Sequence, residues 1–129
     1  MAIVYLTLPR ILDLHDYLVE ETGGSHGIRA LRMLESTILA PQQSVFGSEL
    51  YATLFLKAAC YAHGIIMNHP FFDGNNRAGI SCAGVFLDVN DWVLTVSQKE
   101  LEDFAVHVVT QKLTIADIAQ WLENNSIKK

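Results

Sequence analysis

The 129-residue sequence predicts an all-α fold, with about six helices forming one domain over residues 1–129 around a central buried helix. Three features lead there. Apolar residues recur at spacings of three and four along most of the chain, the period of a helix with one buried face. Helix-starting and helix-stopping residues separate those segments. No strand-turn-strand series, internal repeat or low-complexity linker interrupts them.

Ile11, Leu14, Leu18 and Val19 form a stripe that stops at Gly23 and Gly24, so residues 8–22 read as the first helix. A second runs from about residue 28 to 40 and ends before Pro41. Ser48 is placed to cap a third over about 49–67, with Leu50, Leu54, Phe55, Ala58, Ala62 and Ile65 facing inward. Pro70 ends it, because the residue before a proline is pushed out of helical geometry; His69 then sits at or beyond the helix end. A loop follows through Gly74. From Asn75 to about Val89 the chain is apolar on nearly every side, as the centre of a bundle requires. Asn90 and Asp91 make a turn, and WVLTV reads as a short extended piece. Ser97 with Glu100 and Thr114 with Asp117 are capping boxes opening helices that run to about Lys112 and Asn125. Trp92 and Trp121 read as core anchors near helix ends.

Composition narrows the class. Hydrophobic residues make up 50% of the chain and charged ones 18%, the balance of a packed domain and not of a largely disordered chain. A formal net charge of −5, with no cluster of Lys and Arg, argues against nucleic acid as a partner. The apolar start MAIVYLTLPRIL has no basic leading segment and soon meets Pro9, Arg10 and Asp13, so it does not read as an export signal. The longest apolar run of the second half falls far short of the ~20 residues that span a bilayer. These features predict a cytoplasmic protein with no membrane partner, whose Cys60 and Cys82 are reduced, buried thiols.

The stretch NHPFFDGNNRAG concentrates the polar chemistry. A helix starting at Asn75 offers unpaired N–H groups and the positive end of its dipole to the preceding loop, which makes an anion cradle. Gly74 lets a phosphate approach the backbone, Asn75 and Asn76 add amide donors, and Arg77 brings a planar cation suited to phosphate oxygens. Asp73 would repel a bare phosphate, and a divalent cation resolves this, since Mg²⁺ is commonly held by one or two carboxylates plus substrate phosphates. The imidazole of His69 can accept a proton near neutral pH from a hydroxyl attacking that phosphate. Taken singly, His69 also reads as a helix C-cap, Asp73 as an N-cap, Gly74 as a turn residue and Arg77 as a solvated side chain. All four on one loop fit that account less well.

HPFFDGNNR resembles the signature loop of the Fic/Doc family, His-Pro-Phe-x-Asp/Glu-Gly-Asn-x-Arg, at His69, Pro70, Phe71, Asp73, Gly74, Asn75 and Arg77. LHDYLVEETGG, IRALRMLESTILAPQ and VFLDVNDW are similar in kind and order to death-on-curing (Doc) members, so the resemblance spans roughly residues 5–125. It implies a Fic/Doc-type helical bundle and a transferase using ATP and Mg²⁺. In that scheme His69 is the base for a target hydroxyl, Asp73 the Mg²⁺ ligand, Gly74, Asn75 and Asn76 the amide cradle, and Arg77 a phosphate contact. Phe71 is then expected to point inward and anchor the loop.

Two positions depart from the pattern. Fic members that transfer AMP usually carry Gly where this chain has Asn76 and a second Arg where it has Ile80. Doc members also lack that second Arg, commonly carry Lys at the position of Asn76, and resemble kinases that pass the terminal phosphate of ATP to a translation elongation factor. The resemblance therefore implies a Doc-like toxin phosphorylating a Ser or Thr hydroxyl of an elongation factor Tu type protein. AMP transfer (AMPylation) and a catalytically weak binding module are its alternatives. Such toxins are restrained by a separate antitoxin or by an internal Ser/Thr-x-x-x-Glu-Gly/Asn helix. Glu123-Asn124 is the only Glu followed by Gly or Asn, and Ala119 lies four residues before it, so a separate antitoxin chain is the partner expected.

Other polar residues are assigned blander roles. His15-Asp16, with His63 and His69, would suit an HD-type metal phosphohydrolase, but no His precedes the pair as that motif needs. His15, beside an apolar stripe, reads as packed; His63 and His107 read as structural and His26 as a loop residue. Arg29 and Arg32 read as a solvated helix face, with contact to a partner as the alternative.

Overall fold

The computed structural model describes residues 2–129. The described residues form six α-helices: α1 (Leu8–Thr22), α2 (Leu31–Leu39), α3 (Leu54–Asn68), α4 (Asn75–Val89), α5 (Gln98–Thr110) and α6 (Ile115–Asn124). The all-α class and the number of helices are those the sequence predicts. Two small antiparallel ribbons complete the architecture, β1 (Ser44–Val45) with β2 (Ser48–Glu49), and β3 (Trp92–Leu94) with β4 (Ser126–Lys128).

The helix starts follow local chemistry. Thr7 caps α1 and Thr53 caps α3, each hydroxyl accepting an N–H three residues on. Both capping boxes form, Ser97 with Glu100 on α5 and Thr114 with Asp117 on α6. Gly23 ends α1 in the positive-φ conformation open to glycine.

The core centres on α3 packed against α4, so the buried α4 shares the middle of the bundle with its neighbour. Gly79 permits the approach, since a Cβ there would stand 2.7 Å from Ile66 Cγ1 and 3.0 Å from the Ala62 carbonyl oxygen. Ile11, Leu34, Val108, Ile118 and Leu122 close around this pair from α1, α2, α5 and α6. Trp121 stacks on Phe104, ring centres 3.9 Å apart, and Trp92 meets Phe55 edge-on at 5.1 Å. Cys60 and Cys82 are free and buried, and burial pushes both thiols up to about 12. Among the described residues no helix is long and apolar enough to cross a membrane.

Three expectations are corrected. α3 begins at Leu54 and not near 49, because residues 44–49 form the β1–β2 hairpin; Ser48 lies on β2 and Leu50 is half exposed. Lys57, fully buried on α3, fastens that hairpin by donating to the Pro41 carbonyl and the Glu49 carboxylate, both at 2.9 Å. α2 begins at Leu31 and not near 28, because the backbone of Ile28, Arg29 and Ala30 is committed to residues 70 and 71. His107, read as structural, is exposed on α5.

Candidate functional site

The predicted loop lies between the end of α3 and the start of α4. α3 closes at His69, which adopts a left-handed conformation, φ 49° and ψ 58°, and exposes its ring. Pro70 and Phe71 then turn inward. Phe71 is only 1% exposed and stacks on His15 of α1, ring centres 3.8 Å apart, so it anchors the loop as the resemblance implies. His15 is itself buried, and its Nε2–H donates to the Asp73 carbonyl at 2.8 Å, which leaves that nitrogen no lone pair for a metal.

Gly74 stands at the N-cap of α4 with φ 73° and, among the described residues, no side chain caps this helix. The first-turn N–H groups of Asn75, Asn76 and Arg77 thus lack intrahelical acceptors, at the positive end of the dipole. Asn75 is only partly what its sequence position suggests. Its side chain is buried and spent on the loop, Oδ1 accepting from Phe71 N–H and Nδ2 donating to the Phe71 carbonyl, both at 3.0 Å. What it can offer an anion is its backbone N–H.

His69, Asp73, Gly74, Asn75, Asn76 and Arg77 all line one cavity of about 360 Å³, together with Phe72. Every predicted site residue is therefore brought to a single place. A larger cleft of about 420 Å³, lined by Glu100, Asp103, Phe104, His107 and Trp121, lies elsewhere on α5 and α6. Its lining holds two carboxylates and, among the described residues, no arginine, which suits an anion less well than the smaller cavity does.

Three contacts at the site were not legible in the sequence. Glu102 of α5 accepts from Arg77 Nη1 at 2.6 Å. The Ser25 N–H, in the α1–α2 connection, donates to Asp73 Oδ2 at 2.8 Å. Arg29, expected on a solvated helix face, instead precedes α2 and donates from Nε to the His69 carbonyl at 2.7 Å and from Nη2 to the Asn68 carbonyl at 2.8 Å. The only hint in the sequence was that α3 has no basic residue in its last turn to meet its orphan carbonyls. Near Ser25, the two ring nitrogens of His26 donate to Asp16 and Glu20, at 3.0 and 2.7 Å; these hydrogen bonds, Asp16 first, raise its pKa.

Exposed imidazole, exposed carboxylate, free amides and a guanidinium around one concavity suit a phosphate-bearing ligand and an attacking hydroxyl. Asp73 is a lone carboxylate, and among the described residues no group of three His, Cys, Asp or Glu is gathered to hold a metal. That donor set fits Mg²⁺, which takes much of its coordination from substrate phosphates and water. Ile80, where a second arginine would stand, is buried at 1% exposure.

The family model described as the Fic/DOC family matches residues 5–87. The chain is 30% identical over 113 residues to "Toxin Doc" of Mycolicibacterium smegmatis, covering 84% of this chain and 87% of that protein. It is 27% identical over 118 residues to "Protein kinase doc" of Escherichia phage P1, covering 92% of each.

Proposed function

The chain belongs to the Fic/Doc family, and from that premise we propose that it is a Doc-like toxin that passes the terminal phosphate of ATP to a protein hydroxyl. The target is a Ser or Thr of a translation protein of the elongation factor Tu type. The setting is cytoplasmic, and a separate antitoxin chain docking at the cleft beside the loop restrains the activity. One observation carries the reading: His69, Asp73, the first-turn amides of α4 and Arg77 share the same cavity.

The roles follow from position. The first-turn N–H groups of Asn75, Asn76 and Arg77 hold phosphate oxygens, and the Arg77 guanidinium compensates their charge. The Asn76 side chain adds a neutral donor. Asp73 is the residue that would hold Mg²⁺, whose contribution when bound is to neutralise phosphate charge. His69 accepts the hydroxyl proton as the hydroxyl oxygen bonds to the terminal phosphorus and the bond to the ADP oxygen breaks. The proton then rests on the imidazole and the phosphate on the target.

Burial of Ile80 supports terminal-phosphate transfer over AMP transfer, because among the described residues Arg77 is the one guanidinium lining the cavity. The net charge of −5 supports a protein target over nucleic acid. The test supplies ATP labelled at the α or the γ phosphate, with Mg²⁺ and a cell lysate, and asks which label reaches protein. Label from γ alone is expected. Label from α alone overturns the proposal in favour of AMP transfer, and tight Mg-ATP binding with no transfer to any protein overturns it in favour of a binding module.

A further inference from the structure

Arg29 does not line the cavity, yet it is fastened to the residue on which the proposed chemistry turns. Its guanidinium spans two consecutive carbonyls at the end of α3, Nε to His69 and Nη2 to Asn68. Both carbonyls sit at the negative end of the α3 dipole, and α3 supplies no basic side chain of its own there. A planar fork meets two acceptors at fixed spacing; a lysine ammonium, a point charge on a flexible stem, does not.

His69 needs such a restraint. Its φ of 49° lies in the left-handed region, disfavoured for any residue with a Cβ, and persists only where the surroundings impose it. The backbone beside Arg29 grips the same loop independently. The N–H groups of Arg29 and Ala30 both donate to the Pro70 carbonyl, at 2.7 and 3.0 Å, Phe72 N–H donates to the Gly27 carbonyl at 3.3 Å, and Ile28 pairs with Phe71. On the far side, His15 and Asn75 hold Asp73 and Phe71. Removing the Arg29 side chain therefore leaves the loop attached and the anion cradle in place, and loosens chiefly the peptide that carries His69.

We propose that Arg29 is a positioning residue for His69, acting through the Asn68 and His69 carbonyls to fix where the imidazole stands over the cavity. This rests on the reading of His69 as the base. Because the cradle at the start of α4 is held by other residues, the effect falls on turnover and not on nucleotide binding.

The test compares Arg29→Ala, Arg29→Lys, Arg32→Ala and His69→Ala in γ-label transfer, with kcat expressed per Mg-ATP-binding site found by calorimetry so that misfolded protein is not counted. Misplacement of a reacting group by about 1 Å costs on the order of 10²-fold. Arg29→Ala is expected to lower kcat by about 10- to 100-fold while leaving KM for ATP within about twofold. Arg29→Lys should recover only part of the loss, and Arg32→Ala should match the native protein. Without any turnover, the His69 ring NMR signals should broaden in Arg29→Ala and stay sharp in Arg32→Ala. Native kcat in Arg29→Ala, full recovery in Arg29→Lys, or a rise in KM that accounts for the loss overturns the positioning role. Full activity in His69→Ala overturns the base assignment itself; an inactive His69→Ala beside a fully active Arg29→Ala overturns the positioning role alone.

Discussion

Replacing Glu102 by Gln is expected to tighten Mg-ATP binding. Glu102 Oε1 holds Arg77 Nη1 at 2.6 Å, and Arg77 is the residue at the cavity best suited to phosphate oxygens. The contact is monodentate and partly solvated, with the Arg77 side chain 41% exposed and that of Glu102 34%. Exposed pairs of this kind contribute ~0.2–1 kcal/mol, and the short distance and partial burial place this one near the top of that range. A phosphate that must displace the carboxylate from Nη1 loses that amount, and ~1 kcal/mol is about a fivefold change in Kd. Removing a negative charge within a Debye length of the nucleotide, ~8 Å at physiological salt, works in the same direction. Calorimetric titration of Mg-ATP should therefore give a Kd about 3- to 10-fold lower for Glu102→Gln, with the gap narrowing as salt is raised. In an Arg77→Ala background the same change should have little effect, because its partner is gone. Unchanged or weaker binding in Glu102→Gln would refute the reasoning and make Glu102 a residue that orients Arg77 instead of competing for it.

Three further outcomes are expected. His69→Ala should lower label transfer by ~10²–10⁴-fold, with circular dichroism and the melting temperature close to native, since the ring is exposed. Gly79→Ala should destabilise by ~1–3 kcal/mol in urea unfolding, because the new Cβ meets Ile66 and the Ala62 backbone, which α4 cannot move away from without opening the core. His26 has a folded-state pKa raised from 6.5 by its hydrogen bonds to Asp16 and then Glu20, so the folded protein binds its proton more tightly than the unfolded chain. The stabilisation is fully present below pH 6.5 and lost as pH rises through the raised value. The difference in melting temperature between the native protein and His26→Gln should accordingly be largest below pH 6.5 and shrink above it. A difference that grows with pH would contradict the assignment.

The parts of the fold that could be read from sequence are those decided within a few residues. The bounds 8–22 and 75–89 for α1 and α4 agree with the structure because Gly23, Gly74 and the apolar periodicity act locally, as do the two capping boxes. The parts that could not be read are decided by distant partners. The β1–β2 hairpin turns at Phe46 and Gly47, both at positive φ. A two-residue turn of that kind is normally announced by Asn-Gly or Asp-Gly, and a phenylalanine in the first place conceals it. The late start of α2 depends on hydrogen bonds to Pro70, about forty positions along the chain, which no local pattern encodes.

The site divides in the same way. His69, Asp73, Gly74, Asn76 and Arg77 were legible as a group because one turn between two helices brings them together whatever the rest of the fold does. Glu102 and Arg29 were not, since each reaches the site from another element through a side chain whose direction only the packing determines. Asn75 shows the limit inside the motif itself. Residue type and position suit an amide donor for phosphate, yet Phe71 presents both a buried N–H and a buried carbonyl, four residues away, that need partners. A carboxylate would meet the N–H but oppose the carbonyl, and an ammonium the reverse; an amide supplies a donor and an acceptor side by side in one planar group. The same side chain that makes Asn75 look like a ligand contact is thus what holds Phe71 under the loop. The cradle that remains for an anion is the backbone of α4, with Asn76 and the Glu102-paired Arg77 as the side chains that can tune it.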